Sequence, residues 1–492
     1  MRVAAAFPTT LPQVLAQHAA ERPHSRALHF EGEDLDYASL AAQVDAAAAR
    51  LWHEWGVRPG DRVAWLGLNH PAELVLLFAL ARLGAILLPL NFRLAAAEWE
   101  QLVDDCTPRH LVHDAAHQDA AQALAQRKGL HLHAAGELQL VARSEAPDHA
   151  QPGAPVLLVY TSGTTSRPKA AVHTQANLLA GMRIGAQAQG MQPQDVVLTM
   201  LPLFHVGGLC IQTLPALFTG ASVVLHARFA PDAAFDAIER HRPTLTLVVP
   251  AVMKALVEHP RWAAASLGCL RAAWAGSSLL PAPLIEQFHA RGVPVCNVYG
   301  STETGPFSIA LPPEHALGHV GSCGWPAPGV EVRLAPVAGG ATEVWVRAPN
   351  VVERYWPDVP ARDAEGWFHT GDLAEQAPDG SYRIVGRAKE LIISGGENIH
   401  PAEIEAPLAE HPDVLECAAF GVPDAQWGEA VAVALVLRPG ARCTDEELRQ
   451  HLAARLARYK LPRHWVRVEA LPKTALGKVQ RPALAALLAP GG

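Results

Sequence analysis

Apolar runs alternate with helical patterns from the N-terminus to about residue 380, and this rhythm constrains the fold more than any other feature. Short apolar stretches such as VVLTML and TLTLVVP are each followed by a segment with helical spacing, for example Pro231 to His241. Strands that alternate with helices form β-α units, and such units build parallel sheets. The sequence therefore predicts an α/β fold with layers of parallel strands and helices.

A change of pattern near Gly380 predicts a domain boundary. The chain has 492 residues, more than a single hydrophobic core usually supports, so at least two domains are expected. After the strand SYRIVG, Arg387 is followed by short strands and helices in a new order. We predict a large N-terminal domain over residues 1–387 and a small α+β C-terminal domain over residues 388–492.

Composition and charge exclude several classes of protein. Half of the residues are apolar and 18% are charged, which is typical of a folded domain and unlike a disordered chain. The net charge of −8 and the lack of Lys/Arg runs argue against nucleic-acid binding. The longest apolar region, Leu74 to Leu90, is interrupted by Arg82 and predicts a buried helix and strand, so no membrane span is expected.

Cysteine and histidine spacing bears on compartment and metals. The seven cysteines are scattered without C-x-x-C spacing, which predicts reduced thiols in a cytoplasmic protein. The 24 histidines show no spacing typical of a metal site. We expect most of them to be surface or packing residues.

Polar segments follow two of the predicted strands. YTSGTTSRPK, from Tyr160 to Lys169, crowds hydroxyls and backbone N–H groups after an apolar run, a composition that suits a polyanion. In PVCNVYGSTET, Tyr299 could stack on a base, Thr302 could bind a phosphate and Glu303 could ligate Mg²⁺. Ligands of α/β sheets bind at the carboxyl edge of the strands. Taken singly, each segment could equally be a surface loop, a core residue or a helix start.

Two later segments add candidate ligand groups. Asp372 in WFHTGDL can accept both hydroxyls of a ribose, and Arg387 in GRAKE can reinforce that contact. Lys478 lies in the glycine-containing segment LPKTALGK. Alone, an Asp is usually a turn residue and a basic end segment is usually a flexible tail.

The motifs TSGTTSRPK, YGSTE, TGD, GRAKE and PKTALGK, in this order, resemble those of the adenylate-forming superfamily. The resemblance covers nearly the whole chain, and ISGGENIHPAEIE makes it closest to bacterial benzoate-type and fatty acyl-CoA ligases. It implies a distorted barrel beside the parallel sheets and a mobile C-terminal domain. It also implies a two-step reaction in which a carboxylate attacks the α-phosphorus of ATP, giving acyl-AMP and pyrophosphate, and coenzyme A then takes the acyl group.

The resemblance assigns roles to individual residues. Those implied to act in catalysis are Lys478, Thr302, Glu303 and His205, with Glu303 also the Mg²⁺ ligand. Those implied to bind ATP are Thr161, Ser162, Gly163, Thr164, Thr165, Lys169, Gly276, Ser277, Tyr299, Gly300, Ser301, Asp372 and Arg387. Those implied to bind coenzyme A are Arg93, Gly395, Gly396 and Trp427, with Tyr459 and Arg463 beside them. The chain departs from the common pattern at Ser166 and Ala170, where glycine is usual, and at Leu461, where relatives carry a basic residue.

The two half-reactions are implied to use different faces of the C-terminal domain. Lys478 is implied to bridge the carboxylate and the α-phosphate during adenylation. Rotation about a hinge at Lys389 then removes this lysine and presents Ser394 and the two glycines after it to the pantetheine arm.

The acyl substrate is implied to be an apolar fatty or aromatic acid. Residues implied to line its pocket are His205, Val206, Gly207, Ala275, Gly276, Val298, Gly300, Gly305 and Pro306. No Asp stands where amino-acid-activating relatives bind the amine. Two alternatives stay open: an adenylating enzyme that delivers its acyl group to a carrier protein, and a non-catalytic binding paralogue. The sequence also leaves open whether the chain works as a monomer or a homodimer.

Overall fold

A computed structural model describes residues 7–139, 145–161, 168–276, 280–337, 341–394, 397–424, 426–474 and 477–488. The chain forms two compact units. Unit 1 comprises Met1–Val332 and Val346–Phe368, and unit 2 comprises Arg333–Trp345 and His369–Gly492. The predicted boundary between residues 387 and 388 lies within unit 2, and it stays a prediction.

The described strands and helices have the following bounds. The strands up to residue 326 are β1 (Arg26–Phe30), β2 (Glu33–Asp36), β3 (Arg62–Leu66), β4 (Ile86–Leu90), β5 (His110–His113), β6 (His131–Ala134), β7 (Pro155–Thr161), β8 (Lys169–Thr174), β9 (Val196–Thr199), β10 (Ser222–Leu225), β11 (Leu245–Val248), β12 (Ala272–Ala275), β13 (Val295–Tyr299), β14 (Ile309–Ala310) and β15 (Trp325–Pro326). The later strands are β16 (Glu331–Pro336), β17 (Thr342–Arg347), β18 (Arg354–Tyr355), β19 (Val359–Pro360), β20 (Phe368–Gln376), β21 (Tyr382–Arg387), β22 (Ile392–Ser394), β23 (Glu397–Ile399), β24 (Val414–Asp424), β25 (Gly428–Leu437) and β26 (His464–Arg467). The helices are α1 (Leu11–Glu21), α2 (Tyr37–His53), α3 (Pro71–Leu83), α4 (Ala96–Cys106), α5 (Gln118–Lys128), α6 (Gln175–Ala188), α7 (Val206–Gly208), α8 (Leu214–Thr219), α9 (Pro231–His241), α10 (Pro250–Val257), α11 (Ala282–Ala290), α12 (Pro401–Ala409), α13 (Asp445–Ala453) and α14 (Arg481–Ala486).

Unit 1 is built on two large sheets. One has the strand order β15-β14-β13-β12-β11-β9-β10-β1-β2 and the other β19-β18-β8-β7-β4-β3-β5-β6. The central strands pair in parallel, as β9 does with β10 and β11, and as β3 does with β4 and β5. The predicted α/β class with parallel sheets in the N-terminal part is therefore confirmed.

The apolar region Leu74 to Leu90 shows how the sequence produces this architecture. It forms most of α3 and then β4, as predicted. Helix α3 begins after His70, whose Nδ1 accepts the Ala72 N–H at 3.0 Å, and ends at Gly84 in the left-handed region with φ 66°. All five residues of β4 are buried. A parallel strand covered by helices on both faces needs this continuous apolar run.

Unit 2 contains most of a sheet with the order β16-β17-β20-β21 and a second sheet with the order β23-β22-β25-β24. Strand β26 pairs in parallel with β25. Ile392, Ile404, Val433 and Leu448 belong to the core between this second sheet and helices α12 and α13. This mixture of strands and helices agrees with the predicted α+β C-terminal domain. Among the described residues, none of the helices is long and apolar enough to cross a membrane.

Candidate active site

The hairpin of β7 and β8 holds the two ends of the predicted phosphate loop in unit 1. The strands pair antiparallel with Thr161 opposite Lys169, and the Thr161 hydroxyl donates to the Lys169 carbonyl at 3.4 Å. The Lys169 ammonium lies 5.4 Å from the centre of the Tyr355 ring. Ser162, Gly163, Thr164 and Thr165 lie outside the described residues, as does Ser166.

Ala170, one of the two departures from the glycine pattern, is a strand residue. It pairs with Tyr160, and its side chain is fully buried in an apolar cluster of unit 1. A regular strand position does not require the backbone freedom of glycine, so an alanine with a buried methyl group fits there. Ala170 is therefore compatible with the hairpin.

The turn after β13 carries the predicted metal ligand. Glu303 is half-buried in a 3₁₀ turn, Thr302–Thr304, that follows Ser301. Its backbone carbonyl accepts the Val352 N–H at 2.8 Å, and its Oε1 accepts the Tyr355 hydroxyl at 2.9 Å. A carboxylate fixed in this way supplies the hard oxygen that Mg²⁺ prefers. The residues present therefore fit the metal.

Glycines allow close backbone contacts at the ends of β12 and β13. A Cβ at Gly276 would lie 2.6 Å from the Val298 carbonyl oxygen, and a Cβ at Gly300 would lie 1.7 Å from that of Pro306. The two strands are parallel neighbours, so Gly276 and Tyr299 are at the same carboxyl edge. This is the edge at which ligands of α/β sheets bind. Ser277 lies outside the described residues.

His205 begins the segment implied to contact the acyl group. Its Nδ1 accepts the Gly207 N–H at 3.0 Å, which caps α7, and a π-helix over Leu209–Thr213 follows. A Cβ at Gly208 would lie 2.2 Å from the Pro202 carbonyl oxygen, so backbone already fills this space. A Cβ at Gly207 would lie 3.0 Å from His205 Nδ1. Gly208 therefore permits a close backbone approach, and the space beside its Cα is already filled.

Arg93 lies in unit 1 near the start of α4. Its backbone N–H donates to Asn91 Oδ1 at 3.0 Å, and its exposed guanidinium lies 5.4 Å from the Phe92 ring centre. Phe92 in turn packs edge-on against Phe204, at 5.4 Å between ring centres. Phe92 therefore links Arg93, which is implied to bind coenzyme A, to Phe204, the residue before His205.

In unit 2, Asp372 and Arg387 lie directly opposite each other on β20 and β21. Arg387 Nε is 2.9 Å from Asp372 Oδ1. The Asp372 N–H donates to the Thr370 hydroxyl at 3.0 Å, and the preceding Gly371 adopts φ 70°. The carboxylate is thus fixed by its backbone and by its partner, as a residue that accepts ribose hydroxyls would need to be.

The predicted hinge and the predicted catalytic lysine also belong to unit 2. Lys389 is exposed in a 3₁₀ turn, Ala388–Glu390, directly after β21. Lys478 is exposed in a tight turn, where its N–H donates to the Thr474 hydroxyl at 3.2 Å and its carbonyl accepts the Thr474 N–H at 2.7 Å. Arg481 contacts Glu390 at 2.9 Å and Glu405 at 2.8 Å. This arginine connects the turn at Lys389 to the segment that carries Lys478.

Part of the predicted coenzyme A surface lies on the second sheet of unit 2. The Arg463 guanidinium lies 4.8 Å from the Trp427 ring centre, and Trp427 and Tyr459 are both exposed. Leu461, which replaces a basic residue, packs against the unit 2 core. Gly395 and Gly396 lie outside the described residues. The described residues therefore present an aromatic and basic surface with one fewer charge than the pattern of relatives.

Tyr355 belongs to the described part of this site but lies in none of the sequence motifs. Its hydroxyl contacts Glu303, which is 52 positions earlier in the chain, and its local sequence ERYW matches none of the five motifs. Only the pairing of β18 with β8 brings it beside Lys169. A contact that depends on strand pairing cannot be derived from spacing alone.

The family model for the AMP-binding enzyme matches residues 15–356, and the model for the AMP-binding enzyme C-terminal domain matches residues 403–478. The chain belongs to the AMP-binding enzyme family. It is 42% identical over 500 residues to indoleacetate–CoA ligase of Aromatoleum aromaticum, covering 96% of each chain. It is 40% identical over 478 residues to feruloyl-CoA synthase of an Amycolatopsis species, covering 94% of this chain and 96% of that one.

A solved structure supports the same conclusion. That of o-succinylbenzoate CoA synthetase from Bacillus subtilis, in complex with its acyl-adenylate intermediate, superimposes with a TM-score of 0.87 at 31% identity, covering 97% of this chain and 98% of that one. The resemblance to the adenylate-forming superfamily is confirmed. This AMP-binding enzyme is an acid–thiol ligase that uses ATP, Mg²⁺ and coenzyme A and forms acyl-CoA through acyl-AMP.

Proposed function

We propose that this enzyme joins an apolar aromatic acid, of the arylacetic or arylpropenoic type, to coenzyme A. The observation that carries the chemistry is the grouping in unit 1, where Tyr355 contacts both Glu303 and Lys169. Because one side chain contacts both groups, the carboxylate can bind a metal ion while the ammonium binds the polyphosphate that carries it. Phosphoryl-type chemistry depends mainly on such positioning and charge neutralisation.

The proposed roles in adenylation follow from these contacts and from the family. Lys169 binds the outer phosphates of ATP, Glu303 holds Mg²⁺, and Asp372 with Arg387 binds the ribose. Lys478 contacts the attacking carboxylate and the α-phosphate. Mg²⁺, when bound, neutralises phosphate charge and makes the α-phosphorus easier to attack.

The proposed substrate class is supported by the apolar character of the implied pocket. Val206, Ala275, Val298 and Pro306 are all buried and carry no charge. An apolar site gains affinity from each methylene or ring carbon that it removes from water, about 0.8 kcal/mol per CH₂. The names of the relatives, an indoleacetate ligase and a feruloyl synthase, favour the aromatic acid over the fatty acid.

A panel of acids tests the substrate class. We expect kcat/KM for pyrophosphate release to be highest with indole-3-acetate or cinnamate, lower with octanoate and lowest with acetate. A preference for octanoate would refute the aromatic assignment and leave the ligase activity standing. Omission of coenzyme A should stop turnover, whereas restored turnover with a pantetheinylated carrier protein alone would favour the carrier-protein alternative.

Replacement of Gly207 tests the position of the pocket. A methyl group at Gly207 would press on His205 from 3.0 Å, so Gly207→Ala should shift the imidazole and narrow the site. We expect kcat/KM for cinnamate to fall about tenfold, as one lost methylene-sized contact costs about 1–3 kcal/mol, while acetate changes less than twofold. Gly268→Ala is the matched control, because nothing lies within 4 Å of the added methyl group. An equal loss for both acids would remove Gly207 from the pocket.

A further inference from the structure

The segment from Asn350 to Trp356 joins two parts of the nucleotide site in unit 1. At one end, the Trp356 N–H donates to the Ala170 carbonyl at 2.8 Å, and Tyr355 pairs with Ala171 of β8. At the other end, the Val352 N–H donates to the Glu303 carbonyl at 2.8 Å. The segment is therefore bonded both to the strand that begins at Lys169 and to the turn that carries Glu303.

The same segment is itself held firmly in unit 1. Asn350 Nδ2 donates to the carbonyls of Thr304 at 2.6 Å and Phe307 at 2.9 Å. Asn177 Nδ2, on α6, donates to the Val351 carbonyl at 3.2 Å. These bonds fix the backbone on which the Tyr355 side chain stands.

The Tyr355 side chain contacts the same two parts of the site that the backbone of its segment joins. Its hydroxyl donates to Glu303 Oε1 at 2.9 Å, and its ring centre is 5.4 Å from the Lys169 ammonium. One side chain thus contacts both charged groups.

We infer that Tyr355 is a positioning residue for the adenylation step, which holds Glu303 for Mg²⁺ and Lys169 for the phosphates of the same nucleotide. The hydrogen bond to Oε1 restrains rotation of the Glu303 carboxylate, which would leave its other oxygen for the metal. The face of the ring attracts the ammonium by a cation–π interaction. This inference rests on the proposed roles of Glu303 and Lys169.

Two substitutions separate the two contacts. Tyr355→Phe keeps the ring and removes only the hydroxyl, so it should weaken the binding of the metal–nucleotide complex about tenfold, the factor that 1.4 kcal/mol represents. It should leave the affinity for metal-free ATP unchanged. Tyr355→Leu removes the ring as well and should also weaken metal-free ATP binding by severalfold.

Binding can be measured without turnover. Mn²⁺ replaces Mg²⁺ as the probe, and its electron paramagnetic resonance signal reports bound metal when protein and ATP are present and the acid and coenzyme A are withheld. Calorimetry with EDTA gives the affinity for metal-free ATP. In steady state, Tyr355→Phe should raise the Mg²⁺ concentration for half-maximal pyrophosphate release and keep kcat near wild type at saturating Mg²⁺. A purely structural defect would lower kcat instead.

Two controls complete the design. Tyr37→Phe removes another buried hydroxyl, which donates to the Ala221 carbonyl at 2.7 Å, and it should change neither binding constant. In a double-mutant cycle, Tyr355→Phe should add little to the loss of Mn²⁺–ATP binding caused by Glu303→Gln, because Tyr355 is inferred to act on the metal through the carboxylate that this change has already removed.

The outcomes distinguish the inference from the proposed function. Three results would overturn the role of Tyr355. They are wild-type affinity of Tyr355→Phe for Mn²⁺–ATP, equal losses of ATP affinity with and without metal, and additive losses of Mn²⁺–ATP affinity in the double-mutant cycle. Wild-type protein that binds ATP no better with Mn²⁺ than without it would overturn the proposed role of Glu303 itself, and the inference with it.

Discussion

Asp372→Asn should separate nucleotide binding from folding. Asp372 Oδ1 lies 2.9 Å from Arg387 Nε, and the two side chains are 10% and 43% exposed. Because the arginine stays in water, the ion pair should contribute no more than about 1 kcal/mol to the free energy of unfolding. Asparagine has nearly the same shape, so we expect the melting temperature of the variant to stay close to that of wild type.

The expected effect on ATP binding is larger. A carboxylate can accept both ribose hydroxyls, whereas an asparagine side chain has one acceptor oxygen and an amide group that only donates. A hydrogen bond to a charged group contributes about 1.5–3 kcal/mol. Loss of one such bond should therefore weaken ATP binding about tenfold to a hundredfold, which titration calorimetry with MgATP can measure.

A second nucleotide and a second variant sharpen this test. Dideoxy-ATP lacks both ribose hydroxyls, so wild type and Asp372→Asn should bind it alike. Glu331→Gln is the matched control, because it removes another carboxylate–arginine contact, 2.7 Å long to Arg347, with no proposed role. An Asp372→Asn enzyme that binds ATP as wild type does, or that still discriminates against dideoxy-ATP to the same extent, would refute the ribose assignment.

Three further predictions concern the lysines of unit 2 and a buried histidine of unit 1. Lys478→Ala should nearly abolish acyl-AMP formation and leave thioester formation from supplied acyl-AMP largely intact; equal losses in rapid-quench assays of the two steps would contradict its role. Lys389→Pro should keep rapid acyl-AMP formation and lose thioester turnover steeply, because proline fixes φ near −65° and blocks one of the two hinge conformations; normal turnover would place the hinge elsewhere. Burial lowers the pKa of His173 from 6.5 to about 4, so between these two pH values the unfolded chain takes up the proton more readily than the folded chain, and stability falls as pH falls. When the pH falls from 7 to 5, the unfolding free energy of His173→Leu should therefore drop by about 2 kcal/mol less than that of wild type. Identical drops for the two proteins in urea unfolding would contradict this.

The sequence predicted those parts of the structure that depend on local patterns. The apolar region Leu74 to Leu90 formed a helix and a strand because its length and composition allow little else. The β-α rhythm led to parallel sheets for the same reason. Asp372 and Arg387, predicted to act together, lie opposite each other on neighbouring strands.

Features that depend on long-range packing were not predictable. The Leu201 and Pro202 carbonyls fill the space beside Gly208, and no local motif indicates this contact. Ala170 departs from the glycine pattern of relatives, and only the pairing of β8 with β7 shows that it is a core residue. The contact of Tyr355 with Glu303 depends on strand pairing, which no local motif reports.

Direct detection of the intermediate tests the central claim that this enzyme makes acyl-CoA from an aromatic acid through acyl-AMP. The enzyme is mixed with MgATP and the best acid of the panel, without coenzyme A, and the quenched mixture is analysed by mass spectrometry. We predict acyl-adenylate and pyrophosphate in equal amounts, and conversion of the adenylate to acyl-CoA and AMP when coenzyme A is added. Formation of ADP and phosphate, or acyl-CoA that appears without prior acyl-adenylate, would contradict the account.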